Sequence, residues 1–75
     1  MKVKLLVPEW GHKIGSVLEA KYFKDMTAEE IAEVRIGGSK DFEWEPEDMF
    51  IPSIDDVNPS PWGFMWNDEV EVIEE

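Results

Sequence analysis

The chain has 75 residues, with 18 acidic and 7 basic side chains giving a formal net charge of −11. This length predicts one small domain spanning residues 1–75. Cysteine is absent, which excludes a disulfide scaffold, an iron–sulfur cluster and a thiol nucleophile. The sequence pI of about 4.3 argues against direct binding to nucleic acid or to an anionic membrane, because both attract clustered lysine and arginine.

Alternating polar and apolar residues predict two strands near the N terminus, over residues 2–7 and 16–23. The loop over residues 8–15 contains two glycines and connects these strands. No signal peptide precedes the first strand, and no apolar run reaches the length of a membrane span. We therefore expect an intracellular protein.

One short helix is predicted within residues 27–37. Thr27 and Glu30 have the spacing of a capping box, which starts a helix, and a pair of glycines follows the last turn as a termination signal. The helix is expected to bury Ile31 and Ala32. Because it has only about two and a half turns, packing against the strands must stabilise it.

The second half of the chain contains three more predicted strands. Residues 41–45 alternate aromatic and acidic side chains, residues 46–50 indicate a single helical turn, and residues 51–60 form a proline-rich loop. Strands follow over residues 62–66 and 69–73. The pattern predicts a mainly β (α+β) fold, a small five-stranded bent sheet or barrel with one short inserted helix.

The charge is divided unevenly along the chain. Residues 1–40 hold all seven basic residues and six acidic ones, whereas residues 41–75 hold twelve acidic residues and no lysine or arginine. The second segment also contains six of the nine aromatic residues, so it is expected to fold rather than to form a disordered tail. Buried aromatic area is expected to stabilise this small core, and homo-oligomerisation is a further way to bury area.

Three segments carry a family resemblance. They are the Lys-Val-Lys-Leu-Leu of residues 2–6, the Gly-x-Lys-x-Gly-x-Val-Leu-Glu of residues 11–19, and the Trp-Gly-Phe of residues 62–64 with the acidic strand of residues 68–75. This layout resembles small SH3-like barrel proteins encoded by phages and prophages of Gram-positive bacteria. The resemblance implies a non-catalytic binding scaffold in the cytoplasm of a bacterial host cell. The capped helix within residues 25–38 departs from that pattern.

Catalytic and metal sites find little support in the residue types. His12 is the only histidine, so a catalytic triad or a histidine metal site lacks its partners. Adjacent carboxylates, Asp55 with Asp56 and Asp68 with Glu69, point apart on an extended backbone. We therefore predict a protein that is not an enzyme and holds neither metal nor cofactor.

The acidic side chains form the candidate functional surface. Glu43 and Glu45 are expected to share one strand face, and Glu69 and Glu71 another, with carboxylates roughly 6.8 Å apart along each strand. One such row has about half the charge density of one DNA strand. Such a surface would mimic nucleic acid towards a basic protein. The candidate partner-binding residues are Asp41, Glu43, Glu45, Glu47, Asp48, Asp55, Asp56, Glu69 and Glu71, with Trp10 and Trp62 as exposed aromatic anchors.

The sequence therefore predicts two alternative functions. The first is a phage-encoded interaction protein that binds and inhibits a host DNA- or RNA-handling protein through its carboxylates. The second is an SH3-like structural or assembly adaptor, in which the acidity provides only solubility.

Overall fold

The computed structural model describes residues 1–36, 43–57 and 59–75. This part of the chain contains six strands, one α-helix and two short 3-10 turns. The 3-10 turns cover Phe23–Asp25 and Asn67–Glu69. The remaining elements, in chain order, are β1 (Lys2–Leu5), β2 (Val17–Glu19), β3 (Lys21–Tyr22), α1 (Ala28–Val34), β4 (Met49–Pro52), β5 (Trp62–Met65) and β6 (Val70–Glu74).

The strands form two antiparallel sheets of three strands each. The first sheet has the order β2-β1-β6 and the second has the order β3-β4-β5. Only Ala20 separates β2 from β3, so one extended stretch of chain supplies a strand to both sheets. The fold is therefore α+β and mostly strand, and the described residues form no closed barrel.

An aliphatic core lies between the two sheets. In β1 the side chains alternate between exposed and buried, and Val3 and Leu5 are fully buried. The second sheet contributes its inward-facing side chains Met49, Ile51 and Met65, each at most 1% exposed. This core confirms the predicted apolar face of the first strand.

An aromatic core lies on the other face of the second sheet. Phe50 of β4 is 2% exposed and packs with Met26 and Val34, which come from the start and the end of the helical region. The half-buried side chains around them are Phe23, Ile31, Trp44, Trp62 and Phe64. The second sheet thus separates two cores, which explains why its central strand is apolar on both sides.

The predicted helix start is confirmed. The Glu30 N–H donates to Thr27 Oγ1 at 3.2 Å, and the Thr27 N–H donates to Glu30 Oε1 at 2.9 Å. The helix ends at Val34, and the glycine pair that was expected to end it lies outside the described residues. The prediction that Ala32 is buried is wrong. Val34 is buried instead, because it lies three residues from Ile31 on the same helix face.

The predicted helical turn over residues 46–50 and the loop start at residue 51 are wrong, because β4 occupies Met49–Pro52. Its burial on both faces removes the alternation by which strands are recognised in a sequence. The residues before it form a turn. The Asp48 N–H donates to Glu45 O at 3.1 Å, and Asp48 Oδ2 accepts the Glu45 N–H at 2.8 Å.

All five predicted strands differ from the structure in their extent. The strands predicted over residues 2–7 and 62–66 end earlier, at Leu5 and Met65. Residues 43–45 lie in no strand, and Asp41, of the predicted strand 41–45, lies outside the described residues. The predicted strand over residues 16–23 is divided at Ala20 between the two sheets. The final strand begins one residue later than predicted, because Asn67–Glu69 is a 3-10 turn.

Candidate functional site

The acidic residues of β6 lie beside lysines. The register pairs Glu71 with Lys4 and Glu74 with Lys2, and Lys2 also pairs with Glu19 of β2. Directly paired side chains on antiparallel strands have Cβ atoms only about 4.5–5.5 Å apart. The outer face of the first sheet therefore mixes both signs of charge.

Glu69 and Glu71 do not form the acidic row that was expected. Glu69 lies in the 3-10 turn before β6, where its Oε1 accepts the Trp66 N–H at 3.1 Å. Its own N–H donates to Trp66 O at 3.0 Å. Glu69 is thus a half-buried part of the turn, and Glu71 is exposed next to Lys4.

The turn before β4 carries a second group of carboxylates. Glu43, Glu45 and Glu47 are exposed, whereas Asp48 is half-buried and holds the turn through its side chain. Trp44 fixes this segment to the aromatic core, since its ring meets Phe50 edge-on at a centroid distance of 5.0 Å. We call Glu43, Glu45 and Glu47 the acidic turn.

Asp55 and Asp56 lie at the opposite end of β4 from the acidic turn. The four residues of that strand span roughly 13 Å, so the structure does not bring the two carboxylate groups together. Asp55 is half-buried, and its Oδ1 accepts the Val57 N–H at 3.0 Å. Asp56 is exposed in the same loop.

Trp10 and Trp62 serve packing and are not exposed anchors. Trp10 is half-buried, donates from Nε1 to Phe64 O at 2.9 Å, and covers Gly63 so closely that a Cβ there would overlap the indole ring. Trp62 lies in β5, also half-buried, and its Nε1 donates to Glu33 Oε1 of α1 at 3.3 Å. The prediction of exposure for these two tryptophans is therefore wrong.

Trp66 is the exposed tryptophan, with 65% of its surface accessible. It continues the alternation of Trp62 and Phe64 along the outer face of the second sheet, and it meets the Phe64 ring edge-to-face at 4.9 Å. The alternation placed these rings on one face, but only the position of α1 shows which end of the row stays open. Sequence reasoning missed Trp66 for that reason.

One lysine of the second sheet is paired within the protein. Lys21 Nζ lies 2.7 Å from Glu30 Oε2 and donates to it. This hydrogen bond, together with the backbone N–H of Thr27, lowers the pKa of the Glu30 carboxyl below its ordinary value. Lys21 of β3 is therefore paired with a carboxylate of α1.

The geometry also bears on metal binding and membrane insertion. Within residues 1–36, 43–57 and 59–75, no three histidine, aspartate or glutamate side chains are grouped to hold a metal ion. Nor does any helix in this part of the chain have the length and apolar character needed to cross a bilayer.

Comparisons with protein-family models, curated proteins and solved structures found no match to this chain.

Proposed function

We propose that this protein is a non-enzymatic acidic interaction protein, phage-encoded, that binds and inhibits a host DNA- or RNA-handling protein by mimicking nucleic acid. The observation that carries the proposal is that residues 41–75 combine twelve acidic residues, no basic residue and much of the buried core. Because Met49, Phe50, Ile51 and Met65 are buried, the carboxylates of this segment are carried on a folded support.

The acidic turn is the part of this surface that best fits a basic partner. Its three exposed carboxylates alternate along five residues of chain, so the Cα atoms of successive glutamates lie at most about 7 Å apart. This backbone spacing of the glutamates is about twice the 3.4 Å per charge along the axis of one DNA strand. The carboxylates of β6, in contrast, lie beside Lys2 and Lys4 in the strand register, so the net charge of that surface is lower and it contributes less.

Such a surface acts mainly on the rate and the salt dependence of association. Clustered charge of one sign attracts an oppositely charged protein over a Debye length of about 8 Å at physiological ionic strength. A basic nucleic-acid-binding groove would be occupied in this way, and its natural ligand would be excluded. The short stretch of β2, Ala20 and β3, which supplies a strand to both sheets, supports an SH3-like scaffold for this surface, acting in the host cytoplasm.

Capture from a bacterial lysate tests this function with two variants of equal charge. The variant E43Q/E45Q/E47Q neutralises the acidic turn, and E19Q/E71Q/E74Q neutralises the same number of carboxylates on the first sheet. We expect the wild type and the first-sheet variant to retain nucleic-acid-binding proteins that duplex DNA or about 0.5 M salt releases, since the Debye length is then near 4 Å. The acidic-turn variant should lose them.

The opposite pattern would support the adaptor function. The observation that favours an adaptor is a set of exposed apolar side chains on the first sheet and the loop next to it, which burial in an assembly would cover. Nucleic-acid mimicry would be overturned if capture resists salt, is unaffected by DNA and is lost when these apolar side chains are replaced by polar ones. The set comprises Leu6, Ile14, Val17, Val72 and Ile73.

A further inference from the structure

Trp66 is a large aromatic side chain that the protein holds in place and leaves uncovered. Its backbone joins β5 to the following 3-10 turn and is held from both sides by Glu69, through Trp66 N–H to Oε1 and Glu69 N–H to Trp66 O. The Trp66 ring also packs edge-to-face against Phe64. A ring that is 65% exposed yet held in this way loses little entropy when a partner binds it.

The neighbours of Trp66 favour a cationic ligand. Asp68 and Glu69 follow it in the turn. The Phe64 ring that supports it also contacts Trp44 at 5.1 Å, which brings the acidic turn to the same side of the second sheet. Trp66 therefore has carboxylates on the segments next to it, and the charge of this region is complementary to a basic side chain.

We propose that Trp66 binds the guanidinium group of an arginine presented by the basic partner, an inference that rests on the proposed function and names its anchoring contact. A cation over an indole face is attracted by the ring quadrupole, and tryptophan is the best of the aromatic residues for this contact. Arginine stacks on aromatic rings and also pairs with carboxylates through two parallel hydrogen bonds, whereas lysine offers a compact, strongly hydrated charge. The surface should therefore prefer arginine to lysine.

Two defined peptides, hexa-arginine and hexa-lysine, test this contact by isothermal titration calorimetry at low salt. The wild type should bind hexa-arginine more tightly than hexa-lysine. In Trp66→Leu, hexa-arginine affinity should fall about 2- to 30-fold, and the preference for arginine should shrink, because the cation–π contact is removed. Trp66→Phe should lose less of the hexa-arginine affinity, since it keeps an aromatic ring. The same variant assigns the Trp66 resonance, because the Trp66 indole N–H signal is missing from its NMR spectrum.

A matched control uses another exposed apolar side chain. Val57 is 87% exposed, and Val57→Ala should leave both affinities unchanged. In the wild type, the assigned Trp66 indole signal should shift on addition of hexa-arginine. Melting curves followed by circular dichroism should show that Trp66→Leu folds like the wild type, since the side chain is largely outside both cores.

The outcomes separate this contact from the proposed function. If the E43Q/E45Q/E47Q variant binds both peptides more weakly while Trp66→Leu keeps the wild-type affinities, the arginine contact is overturned and the acidic function stands. If the wild type binds neither peptide, both are overturned. A loss of arginine preference confined to the Trp66 variants supports the contact.

Discussion

The acidic side chains have different surroundings on the two sheets, although both sheets contain strands from the acidic half of the chain. On the first sheet, β6 brings Glu71 and Glu74 next to Lys4 and Lys2 of β1. Beside the second sheet, Trp44, which lies between Glu43 and Glu45 of the acidic turn, packs on Phe50, and Lys21 pairs with Glu30. The difference teaches that a charge segregated along the chain is not a charge segregated in space, because strand register decides which charges become neighbours.

The largest expected effect comes from removing the support of the acidic turn. Phe50→Ala deletes the buried ring that contacts Trp44, Phe23 and Phe64, and should destabilise the protein by about 3–5 kcal/mol. This is a large part of the roughly 4–11 kcal/mol expected for a chain of this length. Urea unfolding followed by circular dichroism measures the loss.

The matched variant lies in the aliphatic core. Val3→Ala should cost about 2 kcal/mol and leave capture of basic proteins unchanged, because it does not contact the aromatic core. The milder Phe50→Leu keeps the protein folded and should weaken capture by loosening the acidic turn. Equal losses of stability and of capture for Val3→Ala and Phe50→Leu would contradict the separation of the two regions.

The Lys21–Glu30 pair predicts a smaller effect that depends on pH. Since the folded protein lowers the pKa of Glu30, the pair stabilises the protein above the ordinary glutamate pKa. That stabilisation is lost as the pH falls through the lowered pKa of the folded state. Glu30→Gln keeps an acceptor for the capping box and removes the charge, so its stability difference from wild type should be greatest near neutral pH and shrink in acid.

A double-mutant cycle isolates this pair from the overall charge. Acid also relieves the self-repulsion of a protein with a net charge of −11, but that effect is nearly common to wild type and variant. In a Lys21→Met background, Glu30→Gln should cost less and show a weaker dependence on pH. A pH dependence of the same size in both backgrounds would show that Lys21 is not its cause.

Features encoded by neighbouring residues were predicted well. The alternation that predicts the first strand over residues 2–7 and the capping box of Thr27 and Glu30 both depend on residues close together in the chain. The capping box is confirmed, and the strand is confirmed over Lys2–Leu5, where β1 ends. β4 escaped prediction because burial on two faces leaves no alternation. The second predicted strand is divided at Ala20 because its two halves join different sheets, and the local sequence pattern does not indicate which sheet each half joins.

The candidate site was less predictable than the fold, because exposure and register depend on distant residues. Nothing local distinguishes Trp62, which the helix covers, from Trp66, which it leaves open. Likewise, the strand partner of Glu71 is Lys4, 67 positions away along the chain, and it is found only from the pairing of β1 with β6. Residue types indicated an acidic surface, whereas its location needed the sheet arrangement.

The smallest expected effect tests the neutralisation itself. Lys4→Gln removes the cation paired with Glu71 and should lower the free energy of unfolding by about 0.2–1 kcal/mol at low salt. At about 0.5 M salt the loss should nearly vanish, because exposed charges are then screened within roughly 4 Å. Lys13→Gln makes the same substitution in the loop before β2 and should change the free energy less. If both variants lose stability equally, or if salt leaves the effect of Lys4→Gln unchanged, the lysines of β1 do not neutralise the carboxylates of β6. The first sheet would then belong with the acidic turn to one acidic binding surface.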